Sequence, residues 1–467
     1  MTVPDWVQDA VFYQIFPDRF ANGDTTNDPA NVQAWDAPPT LWKFHGGDLR
    51  GVIQKFDYLL DLGINAIYLN PIFHSTSVHR YNTTDYYKID PMLGTFEDFR
   101  ALIDLAHQNG VRVILDGVFN HCGRGFFAFN DVLENAEHSP YLDWFHIKRI
   151  PVDAYGPGKA KDYLAWWNYK SLPKFNTMHA KVRQYLFDVA KYWIEQGVDG
   201  WRLDVPNEID DDTFWNEFRE VVKSANPEAY LVGEIWEANP RWVSPSHFDG
   251  LIHYPLREVL LDFIADGAIK ASKFADRVEE LYELYPKENT FAHFITMGSH
   301  DTVRLSTICG GDERKIRQAF LFQLCHPGAP IIYYGDEIGM AGEKDPLNRH
   351  TFPWDKSSWN HALHNFVQKL IALRHRLHPL RRGSLKRLVV NDKIRVCAFG
   401  RVSEEGSAAV LLNASDSIQR LQLDVSDLGW TKGQRIMEAL GDEELVVSEG
   451  HLKLELQPHG GALLYGI

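Results

Sequence analysis

GWRLDVPNE, Gly200–Glu208, sets an arginine and an aspartate inside a run whose other members read as a buried strand. Side chains two apart in a strand point the same way, so Arg202 and Asp204 share one face. Burying both is tolerable only if they are close enough to pair. In a barrel strand that face is the interior, and the C-terminal end of the strand opens on the face where (β/α)8 enzymes carry their active sites.

Working outward, seven further runs have strand character: VFYQIF from Val11, NAIYLNP from Asn65, RVILDGVFNH from Arg112, YLVGEI from Tyr230, GLIHYP from Gly250, AHFITMGSHD from Ala292 and APIIYYGDE from Ala329. Helical patterns lie between them. In TFEDFRALIDLAHQNG, Thr95 is the cap, Asp98 follows three residues on and Gly110 ends the run, while AKVRQYLFDVAKYWIEQG stops at Gly197. Eight strand–helix units are the count of a (β/α)8 TIM barrel, although an open doubly wound sheet alternates in the same way.

The alternation breaks twice. Residues 122–177 are rich in Gly, Pro, Asn and aromatics and too long for an ordinary βα loop, which predicts a small domain inserted after strand 3, over the barrel mouth. After HNFVQKLIALRHRLHPL the texture becomes alternating segments such as IRVCAFGRV and HLKLELQ between Gly, Asn and Asp turns, which predicts a C-terminal antiparallel β-sandwich. The expected division is a barrel over 1–121 and 178–382, the insertion over 122–177 and the β-domain over 383–467.

With 48 basic and 63 acidic residues the chain has a formal charge of −15. It lacks the basic face that phosphate binding requires, so nucleic acid is not an expected partner. No membrane span and no secretion signal are read, and the expected location is cytoplasmic. Four separated cysteines contain no CxxC pair, which argues against a zinc or dithiol centre.

The pattern of GWRLDV recurs at other strand ends: Asp116, Asn120 and His121 on the third, Glu234 on the fifth, His300 and Asp301 on the seventh. Any one of these reads equally as a cap or a structural ion pair, but independent caps need not gather at the ends of four barrel strands. Facing carboxylates without a Ser or Cys nucleophile motif suit glycosidic cleavage, in which one carboxylate attacks and one carboxylic acid protonates the leaving oxygen. Arg202 is expected to hold Asp204 ionised. Glu234, between apolar residues and beside Trp236, is the better candidate for the acid.

These motifs resemble those of the α-amylase superfamily, glycoside hydrolase family 13. DGVFNH (Asp116–His121), GWRLDV (Gly200–Val205), GEIW (Gly233–Trp236) and SHD (Ser299–Asp301) match its four main motifs in order. The resemblance implies a barrel fold and a retaining mechanism, with Asp204 as nucleophile, Glu234 as acid/base and Asp301 as the third carboxylate. It also implies sugar-binding or supporting roles for Tyr81, His121, Arg202 and His300. LPKFNT (Leu172–Thr177) and VPNE (Val205–Glu208) are similar to signatures of the neopullulanase, cyclomaltodextrinase and maltogenic amylase group. DPLNR is similar too, which implies sugar contacts from Asp345 and Arg349, with Glu208 and Trp236 also in the substrate site.

The implied activity is hydrolysis of α-1,4 and/or α-1,6 bonds in starch, glycogen, pullulan or maltooligosaccharides, with transglycosylation as a side activity. The first barrel strand begins near residue 11, a short layout that resembles debranching-type members and leaves monomer or homodimer open. The alternatives are a cyclomaltodextrinase or maltogenic amylase, a dedicated transferase, an inactive glucan-binding relative, and a metal-dependent barrel hydrolase using His121, His300 and Asp116. An inactive relative predicts loss of a catalytic carboxylate, and all three are present. The resemblance also implies a structural calcium ion held by Asn22, Asp24, Asn27, Asp28, Gly46 and Asp48, hard oxygen donors on a turn. No organic cofactor is expected.

Overall fold

The computed structural model describes residues 2–467. Eight parallel strands form its centre: β1 (Phe12–Ile15), β2 (Ala66–Leu69), β3 (Arg112–Gly117), β4 (Gly200–Leu203), β5 (Tyr230–Gly233), β6 (Gly250–Leu251), β7 (Phe294–Thr296) and β8 (Ala329–Tyr333). Hydrogen bonding runs without a break from β6 through β5, β4, β3, β2, β1 and β8 to β7. A parallel bridge between Ile252 and Phe294 closes the ring. The sheet is therefore a (β/α)8 barrel and not an open doubly wound sheet.

Period-two alternation divides each strand between two cores. Phe12, Ala66, Tyr68, Ile114, Tyr230, Val232, Phe294 and Ile331 fill the barrel interior. Tyr13, Ile15, Ile67, Leu69, Val113, Leu115, Trp201, Leu203 and Leu231 face outward under the helices, in the main hydrophobic cluster. One pleat beyond the interior apolar layer the inward positions turn polar: Gln14, Asn70, Asp116, Arg202 and Glu234 are all buried. Register fixes this polar layer, because β3 and β4 pair with Asp116 opposite Arg202.

The helix Phe96–Gln108 starts with a reciprocal capping box between Thr95 and Asp98. Gly110 follows it with φ +70°, as its position after the helix requires. Between β3 and the helix Ala180–Glu195 the chain makes its excursion, held by isolated bridges His121–Lys174, Phe145–Phe175, Ile147–Tyr163 and Ala165–Pro173. Phe129 packs its ring 4.9 Å from Phe145 and 5.0 Å from Tyr163. A helix at Phe127–Asn135 lies within this excursion; no side chain caps its start, and the sequence carries no start signal for it.

The C-terminal strands are β9 (Ser384–Asn391), β10 (Val396–Ser403), β11 (Gly406–Asn413), β12 (Gln419–Asp424), β13 (Arg435–Glu438), β14 (Glu443–Val446), β15 (His451–Leu456) and β16 (Gly461–Gly466). Six form one sheet, ordered β9-β10-β11-β16-β13-β14, and β12 pairs with β15. Val396, Ala398, Leu411, Leu423, Leu452, Leu456 and Leu464 share the core of this region. Cys397, Phe399, Val410, Leu412 and Leu463 belong instead to the main cluster, so the large sheet packs one face on the barrel helices. All four cysteines are free and buried. Among the described residues no helix is long and apolar enough to cross a membrane.

Candidate active site

The polar layer at the C-terminal ends of the strands converges on one guanidinium. Arg202 Nη1 lies 2.8 Å from Asp116 Oδ1 and 2.9 Å from Asp204 Oδ1, and Nη2 lies 2.9 Å from Glu234 Oε2. Asp116 sits on β3, Arg202 on β4, Asp204 one residue past β4 and Glu234 one past β5. The sequence reading paired Arg202 with Asp204 alone. The structure corrects this, because adjacent parallel strands bring two further carboxylates to the same cation.

One guanidinium thus faces three buried carboxylates. Burial is the largest influence on Asp204; with Glu234 and Asp116 it pushes the carboxyl well above its usual range, against the pull of Arg202. Burial raises Glu234 to about 7, with Asp301 and Asp116 adding to the shift and Arg202 opposing it. Glu234 Oε2 accepts from the Val205 N–H at 3.0 Å and Oε1 accepts from the Trp236 indole at 3.3 Å. Trp236 in turn lies flat on Tyr254, with ring centres 3.8 Å apart.

Val205 adopts φ +37°, a conformation that β-branched residues rarely take. The strained turn carries its N–H to Glu234, immediately after Asp204. Asp204 Oδ1 accepts from Arg202 Nη1 at 2.9 Å.

A second network orients the opposite wall. The Gln14 amide donates to His300 Nδ1 at 2.8 Å, which leaves the His300 proton on Nε2. His300 Nε2 is 2.6 Å from Tyr81 Oη and 3.1 Å from Asp301 Oδ2. Tyr81 Oη donates to Asp116 Oδ2 at 2.7 Å, and the Tyr68 hydroxyl donates to the same oxygen at 2.6 Å. The Tyr81 ring stacks on His300 with centres 5.6 Å apart. Burial pushes His300 down to about 3, so the ring is neutral.

Asp301 differs from the other carboxylates. Burial works against its ionisation, but His300, Arg349 and Arg202 together hold it below its usual range. Its side chain is 31% exposed, against 10% for Asp204, 5% for Glu234 and 0% for Asp116, so Asp301 and Asp204 present the open carboxylates. Arg349 ties the site to the DPLNR loop, lying 3.3 Å from Asp301 and 3.1 Å from Asp345.

His121 receives the Asn120 amide on Nδ1 at 3.1 Å, and its buried Nε2 has no partner. Its ring lies 5.7 Å from that of Trp166 in the excursion. Lys174 Nζ donates to the Glu208 carbonyl at 2.5 Å and lies 3.6 Å from Glu208 Oε2, which joins VPNE to LPKFNT.

Sequence reading missed Gln14, Tyr68, Asn70, Tyr254 and Trp166 as parts of this constellation. The available signal was weak but physical, since Gln14 and Asn70 are single amides at the ends of otherwise apolar strands.

On the turn before the first barrel helices, Asp24 and Asn27 contact Asp48, and Asn22 and Gly46 contact Asp28, but among the described residues no three His, Cys, Asp or Glu side chains group as metal ligands. Asp48 caps the helix Leu49–Gln54 and accepts from Gly23, Asp24 and Gly51 N–H groups and from the Asn27 amide. The Asn22 amide donates to Asp28 at 2.9 Å. A Cβ at Gly46, where φ is +84°, would fall 2.2 Å from Asp28 Oδ1, so only glycine permits this closure. Asn22 Oδ1 and Asn27 Oδ1 are buried acceptors without a donor, which fits a hard cation.

The chain is similar to known proteins along nearly its whole length. The family model for the catalytic domain of α-amylase matches residues 14–382. The chain is 44% identical over 466 residues to neopullulanase 2 of Thermoactinomyces vulgaris, covering 99% of this chain and 79% of that one. The solved structure of a cyclic α-maltosyl-(1→6)-maltose hydrolase from Arthrobacter globiformis, in complex with that sugar, superposes with a TM-score of 0.90 at 38% identity, covering both chains fully. A debranching enzyme from Nostoc punctiforme gives 0.90 at 39%, over 100% of this chain and 99% of that one. The chain belongs to the α-amylase family of glycoside hydrolases.

Proposed function

We propose that the protein is a retaining α-glucan hydrolase of neopullulanase or debranching type, acting on α-1,4 and/or α-1,6 bonds with transglycosylation as a side activity. The observation that carries the reading is the grip of Arg202 on Asp204 and Glu234, 2.9 Å from each. Two carboxylates on one guanidinium suit the close spacing of about 5–5.5 Å used in retention better than the wider gap of about 6.5–9.5 Å that admits a water in inversion.

The ionised Asp204 carboxylate, paired with Arg202, attacks the anomeric carbon through Oδ2, forming an ester as the bond to the leaving oxygen breaks. Glu234 gives its proton to that oxygen. A water then attacks the same carbon and passes its proton back to Glu234, and the ester breaks to restore Asp204. A sugar in the pocket engages Asp301, whose carboxylate His300, Arg349 and Arg202 hold ionised. Tyr81 offers a ring face to that sugar, with His121 Nε2 and His300 as polar contacts. Asp345 and Arg349 hold the neighbouring sugar, and Trp236 and Glu208 line the approach.

Calcium belongs to this reading as a structural ion. Asn22 and Asn27 would hold it through their unpaired side-chain oxygens, with Asp24, Asp28, Asp48 and the Gly46 carbonyl completing the set. We assign the protein to the cytoplasm, as a monomer or homodimer.

The test is to incubate the purified protein separately with pullulan, β-cyclodextrin and amylopectin and to identify products by chromatography. Panose from pullulan with rapid cyclodextrin opening marks the neopullulanase type. Linear chains from amylopectin with cyclodextrin untouched mark debranching. No product from any of the three overturns the proposal.

A further inference from the structure

The excursion carries an aromatic run, AWWNYK (Ala165–Lys170), that the chemistry above does not use. Trp166 stacks on His121 with centres 5.7 Å apart and rings inclined by 24°, and on Trp167 at 5.0 Å and 11°. The three rings thus run continuously from a pocket residue to the surface, where Trp167 is 68% exposed.

Its exposure is built in. Trp167 has φ +46° and ψ +24°, and Asn168 follows with φ +61°, two successive left-handed residues that are not glycine. Such a turn persists only where its surroundings hold it, and strain of this kind gathers at binding sites. Here Trp166 N–H donates to the Leu172 carbonyl at 3.0 Å, Asn168 N–H to Ala165 at 3.0 Å and Ala160 N–H to Asn168 at 2.8 Å. The turn is clamped on both sides and lifts the indole out of the fold instead of burying it.

We propose that Trp167 is a binding platform for a glucose ring of the α-glucan chain, outside the cleavage position, reached through the His121–Trp166–Trp167 stack. The apolar face of a pyranose lies on an indole, and its hydroxyls need partners at the edge. The half-exposed Tyr169, whose ring centre lies 6.2 Å from that of Trp166, carries a hydroxyl in the same run. The proposal rests on the glucan hydrolase reading, so its test must separate the two.

Steady-state kinetics on maltotriose and maltoheptaose would be compared for the wild type, Trp167→Ala, Trp167→Tyr and Trp42→Ala; Trp42 is an exposed tryptophan in another loop. The expected result is a KM for maltoheptaose raised about five- to tenfold in Trp167→Ala with kcat within about twofold, the weight of one aromatic contact. Trp167→Tyr restores most of the loss and Trp42→Ala shows none. An unchanged KM in Trp167→Ala overturns the platform while leaving the hydrolase reading intact. If the wild type hydrolyses neither sugar, fluorescence titration with maltoheptaose decides: quenching lost in Trp167→Ala supports the platform, and quenching absent from the wild type or retained in the variant overturns it.

Discussion

Arg202 holds Glu234 as closely as it holds Asp204, with 2.9 Å from Nη2 to Glu234 Oε2 and 2.9 Å from Nη1 to Asp204 Oδ1. The arginine therefore fixes the separation of the two groups that must act together, and it also bonds Asp116 beneath them. Replacing Arg202 with Met should lower kcat by about 10²–10³-fold or more, the cost of losing a preorganised electrostatic partner. It should also destabilise the fold by about 3–5 kcal/mol, because it leaves buried carboxylates unpaired. Arg202→Lys cannot reach three carboxylates from one ammonium and should recover stability better than rate. Kinetics and thermal melts of both variants check this.

The acid step sets a pH limit. Glu234 must be protonated to serve the leaving oxygen, and burial raises it to about 7. Activity on unactivated glucan should therefore fall as pH rises through about 7, and that alkaline limb should vanish for substrates whose leaving group needs no proton. A pH profile of kcat/KM on maltotriose, compared with an α-glucosyl fluoride, measures the difference.

Another buried glutamate makes a stability prediction apart from catalysis. Glu337 is fully buried, accepts the Tyr13 and Tyr58 hydroxyls at 2.8 and 2.5 Å, and has no partner on its other oxygen. Burial raises it from 4.5 to about 7. The folded state then binds more protons than the unfolded one between these values, so its contribution is fully present below about pH 4.5 and is lost as pH rises through about 7. The loss is about 3 kcal/mol. Glu337→Gln should flatten this part of the stability profile and raise the melting temperature at pH 8. Denaturant titrations at pH 5 and pH 8 read it directly.

The proposed calcium site separates stability from chemistry. The unpaired oxygens of Asn22 and Asn27 lie on the turn around Asp48, and the carboxylate cluster lies at the strand ends. A chelator should lower the melting temperature by about 3 °C relative to calcium at 100-fold excess over its Kd, and leave the initial rate at 25 °C intact. Asn22→Ala with Asn27→Ala should abolish the calcium-dependent shift.

The barrel was legible because each strand is a short apolar run ending in polar residues, and Gly110 and Gly197 mark helix ends in the sequence. Arg202 and Asp204 were legible as a pair because period two is local. The sharing of Arg202 with Asp116 and Glu234 was not, because it depends on the register between β3, β4 and β5, which tertiary pairing sets. Gln14 and Asn70 were hidden for the same reason, since a single amide at a strand end gains meaning only when His300 and Tyr81 arrive from distant loops. The helix Phe127–Asn135 escaped notice because its start has no cap, and nothing local announces that Trp167 will turn left-handed.

The account rests on Asp204 forming the covalent bond while Glu234 manages the proton. The most direct measurement is mass spectrometry of Glu234→Gln incubated with an α-glucosyl fluoride, whose leaving group needs no acid, followed by peptide mapping. The account predicts one added glucosyl unit per chain, on the peptide that contains Asp204, and no adduct in Asp204→Asn. An adduct on a different residue, or release of fluoride at the same rate in Asp204→Asn, would contradict it.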